Sequence, residues 1–269
     1  MIITSTSNPT IKTIRKLRDR KERTAQGLFF AEGPRIVMEA FEMKADVVQL
    51  VVAPDLLGSP AERQFYRRVI EENLPLLEVT PEVFQNISCK EGPKGLAAVI
   101  RQKWAMLAEV PVHQPGIWVG LDRVQDPGNL GTILRTMDSV GAKGVFLLDQ
   151  STDPYDPTAV RASMGAIFTL MLVKASAQEF CTWKKRTGIR VVGATGDVTT
   201  DYRAVEYPSP VVLLMGSERE GLLPAYRESC DELVSIPMVG RCDSLNLGIA
   251  TGVMLYEIFH QHKMTGKCA

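Results

Sequence analysis

The chain has 269 residues, 45% of them hydrophobic and 23% charged, and its 31 lysines and arginines balance 31 aspartates and glutamates. That composition excludes a disordered or collagenous chain and leaves a globular protein with room for one large or two ordinary domains. Five scattered cysteines (Cys89, Cys181, Cys230, Cys242 and Cys268) and three histidines, with no C-x-x-C pair and no ligand cluster, argue against a metal site or a disulfide framework. No segment is apolar enough to span a membrane, and the start turns polar by Thr4, so a reduced, cytoplasmic protein is expected.

In chain order, residues 8–23 place Ile11, Ile14 and Leu17 at helical spacing behind a charged face, with Asn8 as cap and Pro9 at the first helical position. Residues 1–24 hold seven bases (Lys12, Arg15, Lys16, Arg18, Arg20, Lys21, Arg23) against Asp19 and Glu22, in a chain that is neutral overall. A basic helix on a mildly acidic remainder suits a phosphate-backbone partner, and equally a solvated terminal helix. Strand-like "LFFA", helical "EGPRIVMEAF", strand-like "DVVQLVVA", a charged helix over 63–72, and strands "LPLLEV" and "GLAAVI" follow. This alternation predicts a small α/β domain over residues 1–104. A polar connection with Pro111 and Pro115 marks a linker over 105–115.

The second domain, 116–269, opens on "IWVGL". Then come a helix over 129–140, strand "GVFLLD", helices over 158–164 and 177–187, strands "IRVVGAT", "VVLLMG" and "LVSIP", and a closing helix over 245–260. Continuous apolar strands alternating with helices predict a parallel sheet covered on both faces, with its ligand site at the carboxyl ends of the strands.

Three loops fall at those ends. The first, "DPGNLGTILRT", has neither the G-x-G-x-x-G of a dinucleotide fold nor a P-loop, and its helix carries Arg135 four residues beyond Gly131. The second, "GSEREGL", sets Glu218 in a turn bracketed by Gly216 and Gly221. In the third, "IPMVGRCDSLNLGIATGVMLYE", Asp243 or Ser244 can cap a helix with Asn246 in its first turn, and Gly248, Ala250 and Gly252 allow close packing.

In order and spacing, these three loops resemble the motifs of the SpoU (TrmH-like) branch of the SPOUT RNA methyltransferases, over roughly residues 116–264. The first half, with "GLFFAEGPRIVMEA", resembles the small ribosomal-protein-like α/β domain that binds substrate RNA in this family. One departure lies in the third motif, where Leu247 and Gly248 stand in place of the common Val-Ser. The resemblance implies an α/β fold whose C-terminal parallel-sheet domain is tied in a trefoil knot, a feature that periodicity alone would never propose. It implies S-adenosylmethionine as cofactor, held at Gly216, Ile236 and Leu245, with Thr195 and Gly196 added from a neighbouring strand end. It implies Asn129, Arg135, Glu218, Ser244 and Asn246 as the functional polar residues, and a homodimer with the site near the interface and the arginine often acting across it.

The implied reaction is attack of a ribose 2′-oxygen on the cofactor methyl, so only RNA qualifies as substrate. Arg135 is then a cation that orients a phosphate and stabilises the forming alkoxide, since a guanidinium holds its proton too tightly to be assumed a general base. Lys12, Arg15, Arg18, Arg35 and Arg161 are the expected RNA contacts, and no metal is implied. The expected substrate is rRNA, with tRNA as the alternative. A non-catalytic RNA-binding or ribosome-assembly protein on the same fold is the competing class.

Overall fold

The computed structural model describes residues 2–266, so Cys268 lies outside the described residues. Helix α1 (Pro9–Lys16) is capped by the Asn8 side chain and buries Ile11 and Ile14. The single helix expected through Arg23 is two: Asp19 turns the chain and accepts from Lys21 N to cap α2 (Arg20–Gln26), which Gly27 closes in the left-handed conformation. Then come β1 (Leu28–Glu32), α3 (Pro34–Glu42), β2 (Val47–Val52), α4 (Pro60–Glu71), β3 (Leu76–Glu78), α5 (Pro81–Ile87) and β4 (Leu96–Arg101). Their sheet runs β1-β4-β2-β3, with β4 antiparallel to β1 and β2, and β3 parallel to β2. On one face Phe30, Val51 and Val99 pack with Ile11 and Ile14 of α1 and with Val83, Phe84 and Ile87 of α5.

The remaining elements are β5 (Ile117–Asp122), α6 (Pro127–Ser139), β6 (Gly144–Leu148), α7 (Pro157–Ser163), β7 (Met171–Ala175), α8 (Ala177–Thr187), β8 (Arg190–Ala194), β9 (Val211–Met215), α9 (Pro224–Ser229), β10 (Glu232–Val234) and α10 (Leu247–Met264). The chain forms two compact units: Met1–Gln102 with Asp153–Phe168, and Lys103–Thr152 with Thr169–Ala269. A division by linear cuts near 104 and 115 has no place for this excursion, in which residues from the middle of the chain fold with the first unit.

What holds the excursion is a charge that the sequence reading placed on the solvent face. Arg23 is 1% exposed. Its guanidinium donates to Asp153 Oδ2 at 2.8 and 2.7 Å and to the carbonyls of Leu17 and Arg18 at 3.0 and 2.7 Å. Asp156 lies 3.6 Å away and caps α7. A buried guanidinium is tolerated only when its donors are matched in this way. Phe29 of β1 packs on Tyr155 and Phe168, with ring centroids 4.6 and 6.4 Å apart.

The second unit is a six-stranded parallel sheet ordered β10-β8-β9-β5-β6-β7. Its central strands are buried on both faces, as continuous apolar runs require. Trp118 and Phe146 pack with Phe180 and Trp183 of α8 and Tyr226 of α9, while α10 lies along α6 and β9 on its own chain. Gly248 and Gly252 face Thr132 and Thr136 of α6, so these small residues serve packing inside the chain. From β5 the chain runs outward through β6 and β7, then returns to β8 and β9 on the other side of β5. That reversal is a topological switch point, and the loops leaving β5, β9, β8 and β10 share its carboxyl end. No helix among the described residues is long and apolar enough to cross a membrane.

Replacing Arg23 by Met strands Asp153 in the interior, and the expected cost is about 3 kcal/mol. It should appear as a lowered urea midpoint, whereas Lys21→Met, at an exposed position of the same helix, should leave the midpoint unchanged.

Candidate active site

The three loops meet at one side chain. Asn129, in the first turn of α6, donates Nδ2 to Glu218 Oε1 at 3.1 Å and accepts at Oδ1 from Asn246 Nδ2 at 3.0 Å. Asn246 in turn accepts at Oδ1 from the N–H groups of Gly248 and Ile249, at 2.9 and 3.3 Å. Polarity fixes both amides. A carboxylate can only accept and the free N–H groups of a helix start can only donate, so reversing either amide would set acceptor against acceptor or donor against donor. Asn246 is therefore the cap of α10, in place of the Asp243 or Ser244 expected from the sequence. Asn129 is itself fixed by Asp126, the cap of α6, whose Oδ1 accepts from Asn129 N at 2.6 Å.

The second loop is clamped to β5 independently. Asp122, 1% exposed, accepts at Oδ2 from Leu223 N at 3.2 Å and at Oδ1 from Arg123 Nε at 2.9 Å, and Arg123 Nη1 reaches Glu220 Oε2 at 2.5 Å. These hydrogen bonds to Asp122 and Glu220 hold the Arg123 guanidinium even further above neutrality than usual. Arg123 has φ of 49°, an unfavourable backbone state for a residue with a side chain. The strain sits where Arg123 ties the β5 end to the second loop. Ser217 and Gly221 exchange backbone hydrogen bonds, both at 3.1 Å, which closes the turn that presents Glu218. A Cβ on Gly216 would lie 2.2 Å from the Gly221 carbonyl carbon, so only glycine permits this closure.

Two cavities flank Glu218 and Asn246. One, of about 530 Å³, is lined by Thr195 and Gly196 after β8, Gly216 to Arg219 after β9, Ile236 and Met238 after β10, and Asp243 to Leu247. The other, of about 760 Å³, is polar and lined by Arg123, Gln125, Asp126, Asn129, Ser217 to Glu220 and Asn246. Ser217, Glu218, Arg219 and Asn246 line both cavities.

Comparison with known proteins matches residues 116–256 to the SpoU rRNA Methylase family and residues 8–98 to the MRM3-like substrate binding domain. The chain belongs to the SpoU rRNA methylase family. Among relatives of this SpoU methylase, a 23S rRNA (uridine(2479)-2′-O)-methyltransferase of Streptomyces viridochromogenes is 33% identical over 94% of the chain and 89% of the relative. The 23S rRNA (guanosine(2553)-2′-O)-methyltransferase RlmP of Bacillus subtilis is 27% identical over 95% of the chain and 98% of the relative. An AdoMet-bound rRNA methyltransferase from Sinorhizobium meliloti superposes with a TM-score of 0.88 at 36% identity, covering 97% of each chain. The parallel-sheet unit thus has the α/β fold of the SpoU methyltransferases.

The smaller cavity suits S-adenosylmethionine, the cofactor of SpoU methylases. Its volume is that of a small-molecule site. Ile236, Met238 and Leu245 offer apolar surface to a purine, and Met238 and Leu245 are 40% and 37% exposed despite being large and apolar. Glu218 and Asp243 supply negative charge for a sulfonium and an ammonium, and Arg219 supplies positive charge for a carboxylate. A Cβ built on Gly196 meets nothing within 4 Å, so its backbone opens directly onto this space.

The five positions assigned to the cofactor from the sequence, Thr195, Gly196, Gly216, Ile236 and Leu245, all line this cavity, as does Ser244. Asn129, Glu218 and Asn246 are joined by hydrogen bonds. Arg135 is not brought to them: it lies exposed on α6, lines neither cavity, and its side chain has no hydrogen-bond or ion-pair partner among the described residues. The five bases assigned to RNA all lie in the first unit, Lys12 and Arg35 exposed on α1 and α3, and Arg15, Arg18 and Arg161 turned onto residues 86–89. Arg123, Gln125, Arg219 and Met238 are cavity residues that the sequence reading did not assign to the site. The only sequence signal for Arg123 is its place between a strand-end aspartate and the first motif. No group of acidic, histidine or cysteine side chains among the described residues could hold a metal ion.

Replacing Asn129 by Ala leaves Glu218 and Asn246 without their shared partner, and methyl transfer should fall about 100-fold with little change in cofactor affinity. Asn246→Ala breaks the same chain, so the double variant should lose far less than the product of the two single losses. A double-mutant cycle on kcat checks this.

Proposed function

We propose that this SpoU methylase methylates the ribose 2′-oxygen of one nucleotide in structured rRNA. The observation that carries this reading is the shared wall: Glu218 and Asn246 stand between a cofactor-sized cavity and a wider polar one. When bound, S-adenosylmethionine supplies an electrophilic methyl on a good leaving group. The task left to the chain is to place a weakly acidic hydroxyl in line with it and to stabilise the charge that develops. Asn129 keeps Glu218 turned toward the wall, Asn246 holds the start of α10 in place, and Ser244 with Leu245 flanks the cofactor side. A target nucleotide enters the polar cavity from a loop or bulge, where its 2′-hydroxyl is free of a helix. Full-length similarity to two relatives named for 23S rRNA supports rRNA over tRNA. The residues of the first unit that match a substrate-binding domain supply RNA contacts, with Lys12 and Arg35 as exposed cations.

The active form in this reading is a homodimer in which Arg135 of one protomer serves the cavity of its partner. Two observations support it. Arg135 is exposed on α6, and its side chain has no hydrogen-bond or ion-pair partner among the described residues. On the neighbouring α10, Ile249 and Tyr256, 57% and 54% exposed, share an apolar stripe with half-buried Val253 that a two-fold dimer would cover. Arg135 then orients a phosphate and lowers the cost of the forming alkoxide as a permanent cation.

Incubation with tritiated S-adenosylmethionine and rRNA from a strain lacking the gene should deposit label at one nucleotide, resistant to alkaline cleavage. Absence of label in a cofactor-binding preparation, on both naked rRNA and assembling subunits, would overturn the reading. Arg135→Ala and Asn129→Ala should each retain no more than about a hundredth of wild-type turnover alone. Mixed after reversible dissociation, they should regain about a quarter of wild-type activity, because half the dimers are hybrids with one intact site each. An arginine serving its own protomer would regain none.

A further inference from the structure

The wall shared by the two cavities carries one cation with nothing bound to it. Of the four side chains that line both spaces, three are already engaged. Ser217 Oγ accepts from Glu220 N at 3.1 Å, Glu218 accepts from Asn129 and from Gln125 N, and Asn246 uses both ends of its amide. Arg219 is the fourth. It is exposed, and its side chain has no hydrogen-bond or ion-pair partner among the described residues. All five of its N–H donors are therefore open, in a planar fork that can hold one anion along each of two edges. The turn closed by Ser217 and Gly221 holds its backbone in place between the two spaces.

The charge around Arg219 is otherwise adverse to anions. Asp126, Glu218 and Glu220 line the wider cavity, and Glu218 and Asp243 line the smaller one. Among the described residues, the only other lysine or arginine lining either space is Arg123, and it is tied to Asp122 and Glu220. Yet both ligands bring negative charge. S-adenosylmethionine carries a carboxylate, and a nucleotide within RNA has a phosphate on each side of its ribose. In adjoining spaces these anions repel each other and the carboxylates of the wall, so each would weaken the binding of the other. A guanidinium between them attracts both. Once one anion has oriented the fork, the second meets donors already in place.

We propose that Arg219 bridges the cofactor carboxylate and a backbone phosphate of the target nucleotide, and so couples the filling of one cavity to the filling of the other. The proposal rests on RNA being the substrate. It gives Arg219 a positioning role within its own protomer, separate from that of Arg135, which lines neither cavity of its chain.

The test uses the full-length protein with S-adenosylhomocysteine, which keeps the carboxylate and has no methyl to transfer, and with its decarboxylated counterpart. Proteins are compared at each ligand, so that the extra positive charge of the decarboxylated compound cancels. By calorimetry without RNA, Arg219→Gln should bind S-adenosylhomocysteine about tenfold more weakly than wild type, and the decarboxylated compound equally well. Saturation with S-adenosylhomocysteine should not raise the wild-type Kd for an rRNA fragment, but should raise that of Arg219→Gln about fivefold. The decarboxylated compound should produce no such difference between the two proteins. Reciprocity requires the same factor in the affinity for S-adenosylhomocysteine when RNA is already bound. Arg219→Lys keeps the charge without the fork, and should recover the RNA effect but only part of the preference for the carboxylate. Arg186→Gln, in the last turn of α8, should behave as wild type. Equal dependence on the carboxylate in wild type and Arg219→Gln would overturn the bridge, and so would an RNA Kd that responds to S-adenosylhomocysteine alike in both. Failure of the wild-type protein to methylate RNA is a separate outcome that removes the functional reading itself.

Discussion

The amide of Asn129 is the constraint on which the site depends. One planar group bonds a carboxylate with its nitrogen and a second amide with its oxygen, and so joins loops separated by 89 and 117 residues in the sequence. The direction of donation is forced from both ends, by Glu218 at one and by the N–H groups of α10 at the other. Aspartate at position 129 would repel Glu218, and leucine would leave two partners unpaired near the cavities. The site thus tolerates few substitutions at a position that makes no use of charge or nucleophilicity.

Around that constraint the loops divide their work. Gly216 lets the second turn close on Gly221, while Gly196 leaves room for a ligand. Both glycines line one cavity, yet one lets a turn close and the other leaves space open. The strained backbone of Arg123 and the buried Asp122 hold the second loop from the β5 side, so Glu218 is fixed by two routes that share no hydrogen bond. Redundant support of this kind keeps a surface carboxylate in place in a loop with little apolar burial of its own.

Much of this was legible before the structure. Apolar runs such as "IWVGL" and "VVLLM" announce buried parallel strands, and the three loops carry residues that line the two cavities. What was not legible depends on tertiary partners. Arg23 looks like one more base on a solvated helix until Asp153, 130 residues away, is placed beside it. The break of the first helix turns on whether Asp19 caps or is merely exposed, which local sequence leaves open. β7 contains an exposed lysine, Lys174, and α5 and α9 are seven and six residues long, too short for a periodic signal. The cap of α10 fell to Asn246 because the first loop needed its amide nitrogen, a reason that lies outside the third motif altogether.

The excursion of residues 153–168 into the first unit has a consequence for how such proteins can be recombined. The first unit is not a bead that one cut releases. A chain that began after residue 102 would retain Tyr155, Val160 and Ile167 with no core to enter, and would display them as an adhesive apolar strip. Grafting a different recognition unit onto this catalytic scaffold therefore means exchanging two stretches of sequence together, with the Arg23 and Asp153 pair as the fitting that shows whether donor and recipient match.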